Sequence, residues 1–318
     1  MWSFRKRKKM VTKKLIDLSP WLETYSNPIA YGVDQEGAIY VAAGQTAEPI
    51  AEDQGAGIFP KSRFSQSTSY LVFRWQDGDC RSVVIPNERL VVSYVQPVNN
   101  GFLLVGARCY WRPDGAEKNA VQYDWDGNEI RRFTLGDGIN DVRTTPNQSV
   151  WVSYFDEGVF GNYGWHSPGP ECIGSSGCVR FDINGNVSFH FSPDDAGTDI
   201  ICDAYAMNVV GDNDVWIYFY TEFPIAHITN GQYTVWDFGI GGAAALAVEH
   251  DRVLLFGDYN KHNLVRIVQL GTDNKVTILA EMPLVDESGA AITNALPYGV
   301  GKYLYLFREK EVLIVDSW

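Results

Sequence analysis

Helical periodicity is missing from this chain of 318 residues. No window of ~11–18 residues carries the three- and four-residue apolar spacing of an amphipathic helix, which argues against bundles and against βαβ units. No run approaches the ~20 apolar residues of a membrane-spanning helix. No apolar stretch of ~7–15 residues follows the basic start, so it does not read as a secretory signal. Cysteine is sparse: Cys80, Cys109, Cys172, Cys178 and Cys202 are odd in number and irregular in spacing, which is no disulfide framework. Cys172 and Cys178 are near enough in sequence to pair, but reduced thiols in a cytoplasmic protein are the expected state. Familiar reaction signatures are absent too, with no GxSxG nucleophile elbow, no GxxxxGK[ST] phosphate loop and no HExxH zinc motif. The string GIGG at residues 239–242 enters a strand, not a helix, and reads as a tight turn.

Positive charge is also scarce, with 26 Lys and Arg against 39 Asp and Glu and a formal net charge of −13. Phosphate binding relies on Lys and Arg, so no nucleic-acid partner is expected for the body of the chain. Seven of the 26 cations (Arg5, Lys6, Arg7, Lys8, Lys9, Lys13 and Lys14) fall in the first fourteen positions, which hold no acid. The stretch FRKRKK has the composition of a nucleic-acid, membrane-surface or targeting patch. The plainer expectation is a solvated, poorly ordered tail over residues 1–11.

What the chain does have is a repeat. VQYDWDGNEIRRF (121–133) returns as VRFDINGNVSFHF (179–191), each a strand, a polar turn and a second strand. Short strands at regular spacing with turn signals between them mean repeated antiparallel sheet. Four strands, A to D, fit each repeat. Strand B is clearest, as AIYVA (38–42), FLLVG (102–106), VWVSYF (150–155), VWIYFY (215–220), VLLFG (253–257) and YLYLF (303–307). Such apolar runs suit a strand covered on both faces. Turns such as QDGD, DGN, NGN and NGQ follow strand C, where Asp, Asn and Gly accept the left-handed dihedrals of tight hairpins.

The sixth repeat shows no D strand after VLIVD, while KKLIDLSPW near the start has no repeat of its own. Leu15–Ser19 is therefore expected to pair with Val312–Asp316 and close a ring. The expected fold is all-β, one six-bladed propeller over residues 12–318, with blades near 27–87, 88–136, 137–197, 198–240, 241–288, and 289–318 plus 12–20. In its repeat pattern the chain resembles the group of NHL-type propellers, SMP-30-like lactonases, strictosidine synthase-like proteins and streptogramin B lyases, and DxxGxxxxF and GINDVRTTPNQSVWVSYFDEGVF also look like the repeats of sensor-type propellers. A WD40 assignment fits less well, since Gly-His and Trp-Asp pairs do not recur in register.

In such blades the B–C and D–A connections share one face. The B–C connections over 44–68 and 157–177 are far longer than the other turns, and loops beyond ~12–15 residues are commonly functional. That face gathers Asp156, Glu157, Glu222, Asp258 and His262 from B–C connections, with His166 inside the third. Asn140, Asp141, Asp203 and Asn294, at the starts of A strands, are expected to ring a central channel. Carboxylates and amides so arranged suit Ca²⁺ or Mg²⁺, which prefer oxygen ligands. In SMP-30-like lactonases the resemblance implies a metal held by Glu, Asn and Asp, yet SNPIAYGV offers no Glu at the first A strand. In the lyase group it implies a His and a Glu beside Mg²⁺; His166 with Glu157, or His262 with Asp258, are the candidates for general base and partner. Turn-bonding to nearby backbone competes for every such Asp and Asn. Trp111, Phe160, Tyr163 and Trp165 lie in B–C connections and either stack on a flat ligand or pack within the loops.

Two functions follow. The leading expectation is a binding module that takes a small molecule, carbohydrate or protein on the loop-rich face of blades 1–3. The alternative is a metal-dependent hydrolase or lyase acting at the channel mouth.

Overall fold

A computed structural model describes residues 9–27, 29–53 and 57–318. Among the described residues six antiparallel blades follow one another in chain order, five of them four-stranded sheets and one a four-stranded sheet with a short fifth strand added in parallel, the arrangement of a six-bladed β-propeller. The chain groups into two compact units, one of Trp21–Ser192 with Ile200–Ala204, the other of the chain up to Pro20 with Pro193–Asp199 and Tyr205–Trp318.

The first unit holds three blades: Ile29–Val33, Ile39–Gly44, Arg63–Gln76 and Asp79–Leu90; then Tyr94–Val98, Gly101–Val105, Ala120–Asp124 and Glu129–Phe133; then Ile139–Thr144, Val150–Tyr154, Cys178–Phe181 and Val187–His190. The B strands Ile39–Gly44, Gly101–Val105 and Val150–Tyr154 are buried at every position, as their continuous apolar runs require. One apolar cluster joins blades 1 and 2 through Phe64, Tyr70, Val95 and Phe102, and a second joins blades 2 and 3 through Leu103, Val105, Val152 and Val179. The inner strands approach so closely that a Cβ on Gly32 would stand 2.0 Å from the Val95 carbonyl oxygen.

The second unit holds Tyr205–Gly211 of the strand Asp203–Gly211, whose first two residues group with the first unit, and Asp214–Tyr220, Ile225–Thr229 and Gln232–Trp236. Its next blade is Ala245–Glu249, Arg252–Phe256, Leu264–Leu270 and Val276–Val285; its last is Leu296–Val300, Tyr303–Arg308 and Glu311–Val315. The outer strand of that last blade is Lys13–Asp17, paired antiparallel from Lys13↔Ile314 to Asp17↔Glu311. The expected segment Leu15–Ser19 is therefore shifted by two residues: Asp17 Oδ1 accepts the Ser19 amide at 2.9 Å, a turn that ends the strand ahead of Pro20. Pairing begins even earlier, since Met10–Val11 runs parallel to Val276–Val285 and Met10 is buried in the core. Of the basic tail expected over residues 1–11, residues 1–8 lie outside the described residues.

One turn recurs at residues 34–38, 124–128, 182–186 and 286–290, with the pattern Asp-x-x-Gly-x. In each, the Asp amide donates to the fifth residue's carbonyl and the Gly amide to the Asp carbonyl. The glycines Gly37, Gly127, Gly185 and Gly289 have φ of 86°, 85°, 86° and 89°, a region that L side chains avoid. This turn carries much of the repeat visible in the sequence.

Candidate functional site

The B–C loops of the first three blades are not separate. In blade 1, Ala51–Asp53 and Ile58–Pro60 form a small hairpin. In blade 2, Trp111–Arg112 pairs with Gly115–Ala116, a hairpin whose Pro-Asp-Gly turn was present in the sequence but not used. In blade 3 a five-residue helix, Asp156–Phe160, leads into the loop. Tyr163 ties the three together: its hydroxyl donates to the Pro60 carbonyl at 2.6 Å and its own carbonyl accepts the Trp111 amide at 2.9 Å. The Trp165 indole donates to the Cys109 carbonyl at 2.7 Å, within a buried cluster of Cys109, Trp165 and Cys172. Tyr163 and Trp165 thus pack in the loops' own core, and Trp111 is half-buried beside them. Phe160 stays 52% exposed.

Beneath these loops lies Arg108, 4% exposed. Its guanidinium meets Asp137 at 2.8 Å and Glu157 at 2.5 Å. It also lies 4.0 Å from the Tyr163 ring centroid, a cation–π contact in a desolvated place. Asp137 in turn accepts the Cys109 amide at 2.8 Å. Burial pushes the Asp137 carboxyl up to about 6, against the pull of Arg108. Cys80, Cys109, Cys172 and Cys178 are free thiols.

Between the blade 1 and blade 2 loops is a pocket of about 310 Å³ lined by Lys61, Arg63, Arg89 and Arg112 with Glu48, Glu52 and Glu117. Lys61 binds Glu48 at 2.9 Å and Glu52 at 3.0 Å. Glu48 also accepts the Ser65 amide at 2.9 Å, and these bonds hold its carboxyl down at about 2.

The other nominated residues take different places. Glu157 is bound by Arg108, while His166 is exposed on a turn where its amide donates to the Pro170 carbonyl. No hydrogen bond joins the two among the described residues. In the second unit Asp258 pairs with Arg266 at 2.5 Å, which holds its carboxyl below the usual range, and His262 is exposed without a bond to it among the described residues. Asp258 is therefore a structural ion-pair partner. Glu222 and Asn294 are exposed positive-φ residues of that unit.

In the first unit Asp141 gives both carboxylate oxygens away, to the Val142 amide and to Arg143, each at 2.8 Å. The Asn140 carbonyl accepts the Tyr94 hydroxyl at 2.9 Å. A carboxylate committed to a guanidinium is a poor ligand for a divalent cation. Among the described residues no three His, Cys, Asp or Glu side chains gather into a metal-holding group. Asp141 as it stands therefore offers no free carboxylate oxygen to Ca²⁺ or Mg²⁺. Asp203 differs: burial first, and the nearby Asp156 second, push its carboxyl up to about 6.

Among the described residues no helix is long and apolar enough to cross a membrane. Residues 178–314 match the YxzG family. No curated protein matches the sequence. Similar solved structures include a chain of the mitotic checkpoint complex, at 9% identity and TM-score 0.50 over 99% of this chain and 94% of that one. Others are the WD40 propeller domain of Doa1, at 8% identity and TM-score 0.46 over 98% of both chains, and streptogramin B lyase, at 11% identity and TM-score 0.43 over 96% of both. At such identities the likeness is one of fold alone: the chain is similar to β-propellers.

Proposed function

We propose that the chain is a binding module that docks a protein partner on the B–C loops of its first three blades. The observation that carries this reading is the tie from Pro60 through Tyr163 to Trp111, which makes three loops one rigid rim. Rigidity lowers the ordering cost of binding. On that rim stand Ile50, Ile58 and Phe160, 44%, 77% and 52% exposed, apolar anchors of the kind that partners cover. Around them the charged pocket of Lys61, Arg63 and Arg112 supplies a polar border.

Affinity capture from cell homogenate by the wild-type chain, by Ile58→Asp and Phe160→Asp, and by chains lacking 46–66 or 160–175 tests the reading. One specific partner should be held by the wild type and lost from the point variants at unchanged melting temperature. A partner retained by all four would overturn it.

The rival, a metal-dependent hydrolase or lyase, draws on one observation: the carboxyl of Asp203 poised near neutrality beside Asp156. It requires Ca²⁺, Mg²⁺ or Mn²⁺ to raise the melting temperature, since a ligand that prefers the native state stabilises it. It also requires Asp203→Asn to cancel that rise.

A further inference from the structure

At the opposite ends of the same strands, the A–B and C–D turns of the first unit border a cleft of about 540 Å³, within the ~300–1,000 Å³ usual for small-molecule sites. Its aromatic element is Trp125, half-buried and held in place. Arg81 lies 5.1 Å from its ring centroid, and the Phe102 and Tyr40 rings pack against it at 5.0 and 6.4 Å. Around it are Asp34, Arg74, Asn99, Asn100 and Gln148.

Within the first unit, Asp34 differs from the other two Asp residues of the recurring turn. Asp124 and Asp182 use one carboxylate oxygen for two turn amides and the other for the side-chain amide of Asn128 or Asn186, at 2.9 and 2.8 Å. These bonds hold both carboxyls below the usual range despite some desolvation. At residue 34 the turn amides of Glu36 and Ala38 again occupy Oδ1, but the fifth residue is Ala38, so Oδ2 has no such partner. Burial moves this carboxyl upward instead. Arg74 is near enough to oppose that shift, and its own hydrogen bonds go to neutral groups, the Tyr40 hydroxyl at 3.2 Å and the Gln76 amide oxygen.

We propose that this cleft binds a neutral saccharide, with the apolar face of a sugar ring on Trp125 and neighbouring hydroxyls on Asp34 and Arg74. A hydroxyl both donates and accepts, so adjacent hydroxyls match a carboxylate beside a guanidinium, and the amides of Asn99, Asn100 and Gln148 add donors and acceptors of both kinds. Anions fit badly, because Asp34, Glu36 and Asp79 outnumber Arg74 and Arg81 in the lining. A greasy ligand fits badly too, since the aliphatic lining is confined to Val98, Pro97 and Pro146.

The test is saturation-transfer NMR on the full chain with maltose, cellobiose, lactose and N,N′-diacetylchitobiose, with glucose 6-phosphate as the anionic comparator. At least one neutral disaccharide should receive saturation, and its affinity should fall tenfold or more in Asp34→Asn and in Trp125→Ala. Asp34→Asn keeps an oxygen for the turn amides, so it separates loss of binding from loss of fold if Trp125→Ala melts early. The Phe160→Asp chain should bind as the wild type does. Absence of transfer to all four disaccharides, transfer undiminished in Asp34→Asn, or preference for glucose 6-phosphate would each overturn the assignment.

Discussion

The two ends of the first three blades are built on opposite plans. At the B–C end, long loops cross from blade to blade and fasten to one another: Tyr163 to Pro60, Trp165 to Cys109, Arg108 to both Asp137 and Glu157. At the A–B and C–D end the turns are short and bonded largely within themselves, and single bonds tie blade to blade: Gln35 Nε2 to the Thr144 carbonyl at 3.3 Å, the Thr144 hydroxyl to the Pro97 carbonyl at 2.5 Å and the Asn99 amide to Gln148 Oε1 at 3.4 Å. One end fills its space with its own side chains and offers a surface. The other leaves a cleft. Long insertions thus create a platform by bringing their own core, whereas economical turns create a cavity by having nothing to fill it with.

The comparison breaks most visibly at Arg108. If the loop end depends on a buried ionic knot, Arg108→Ala strands Asp137 without its counter-charge and lowers the free energy of unfolding by ~3–5 kcal/mol. Chemical denaturation measures it. A loss below ~1 kcal/mol would mean that aromatic packing alone holds the loops.

Two carboxylates of that same end respond to pH in opposite senses. The Asp137 carboxyl, at about 6, lies above its unfolded value of ~3.9. The folded chain therefore binds the extra proton between those values. Stability from this group is present below pH ~4 and lost as pH rises to about 6. Glu48, held at about 2, contributes stability above its unfolded value that is lost as pH falls toward 2. Asp137→Asn should flatten the stability profile between pH 4 and 6 and leave its acid limb unchanged. A profile still sloped there in the variant would assign the slope to the other raised carboxyls of that unit, Asp203, Asp34 and Asp141.

The blades were legible because their signals are local. Buried B strands read as apolar runs, and turns announce themselves by Asp and Gly a few residues apart. The knot under the loops was not legible, since Arg108, Asp137 and Glu157 come from three separate connections with no fixed spacing. The same holds for Asn119, whose side-chain amide reaches the carbonyls of Gly106 and Gly136, and for Asn208, which bridges Leu246 and Gly301. Glu157 was singled out, but as the partner of His166; its real partner is a cation nearly fifty residues upstream. Aromatic loop residues were ambiguous for a physical reason as well. Tyr and Trp suit a ligand platform and a loop core equally, and only the partners of the Tyr163 hydroxyl and the Trp165 indole decide between them.

A finer test of the interlocked end is Tyr163→Phe, which keeps the ring against Arg108 and Tyr110 and removes only the bond to Pro60. The expected cost is ~1 kcal/mol. Faster hydrogen exchange should appear in the blade 1 hairpin Ala51–Asp53 and Ile58–Pro60, with no change in the turns that border the cleft. Equal acceleration at both ends would show that the platform and the cleft are one cooperative unit.

The smallest effect belongs to the sparse end. Gln35→Ala removes a part-buried side-chain bond of 3.3 Å between the blade 1 turn and blade 3. Its acceptor, the Thr144 carbonyl, is left beside an open cleft where water can replace the donor. Removing one hydrogen bond without burying an orphan costs little, so unfolding should change by less than ~0.5 kcal/mol. A cost approaching that of Arg108→Ala, read by the same denaturation curve, would mean that this one bond, and not the wider set of ties around it, holds the cavity open.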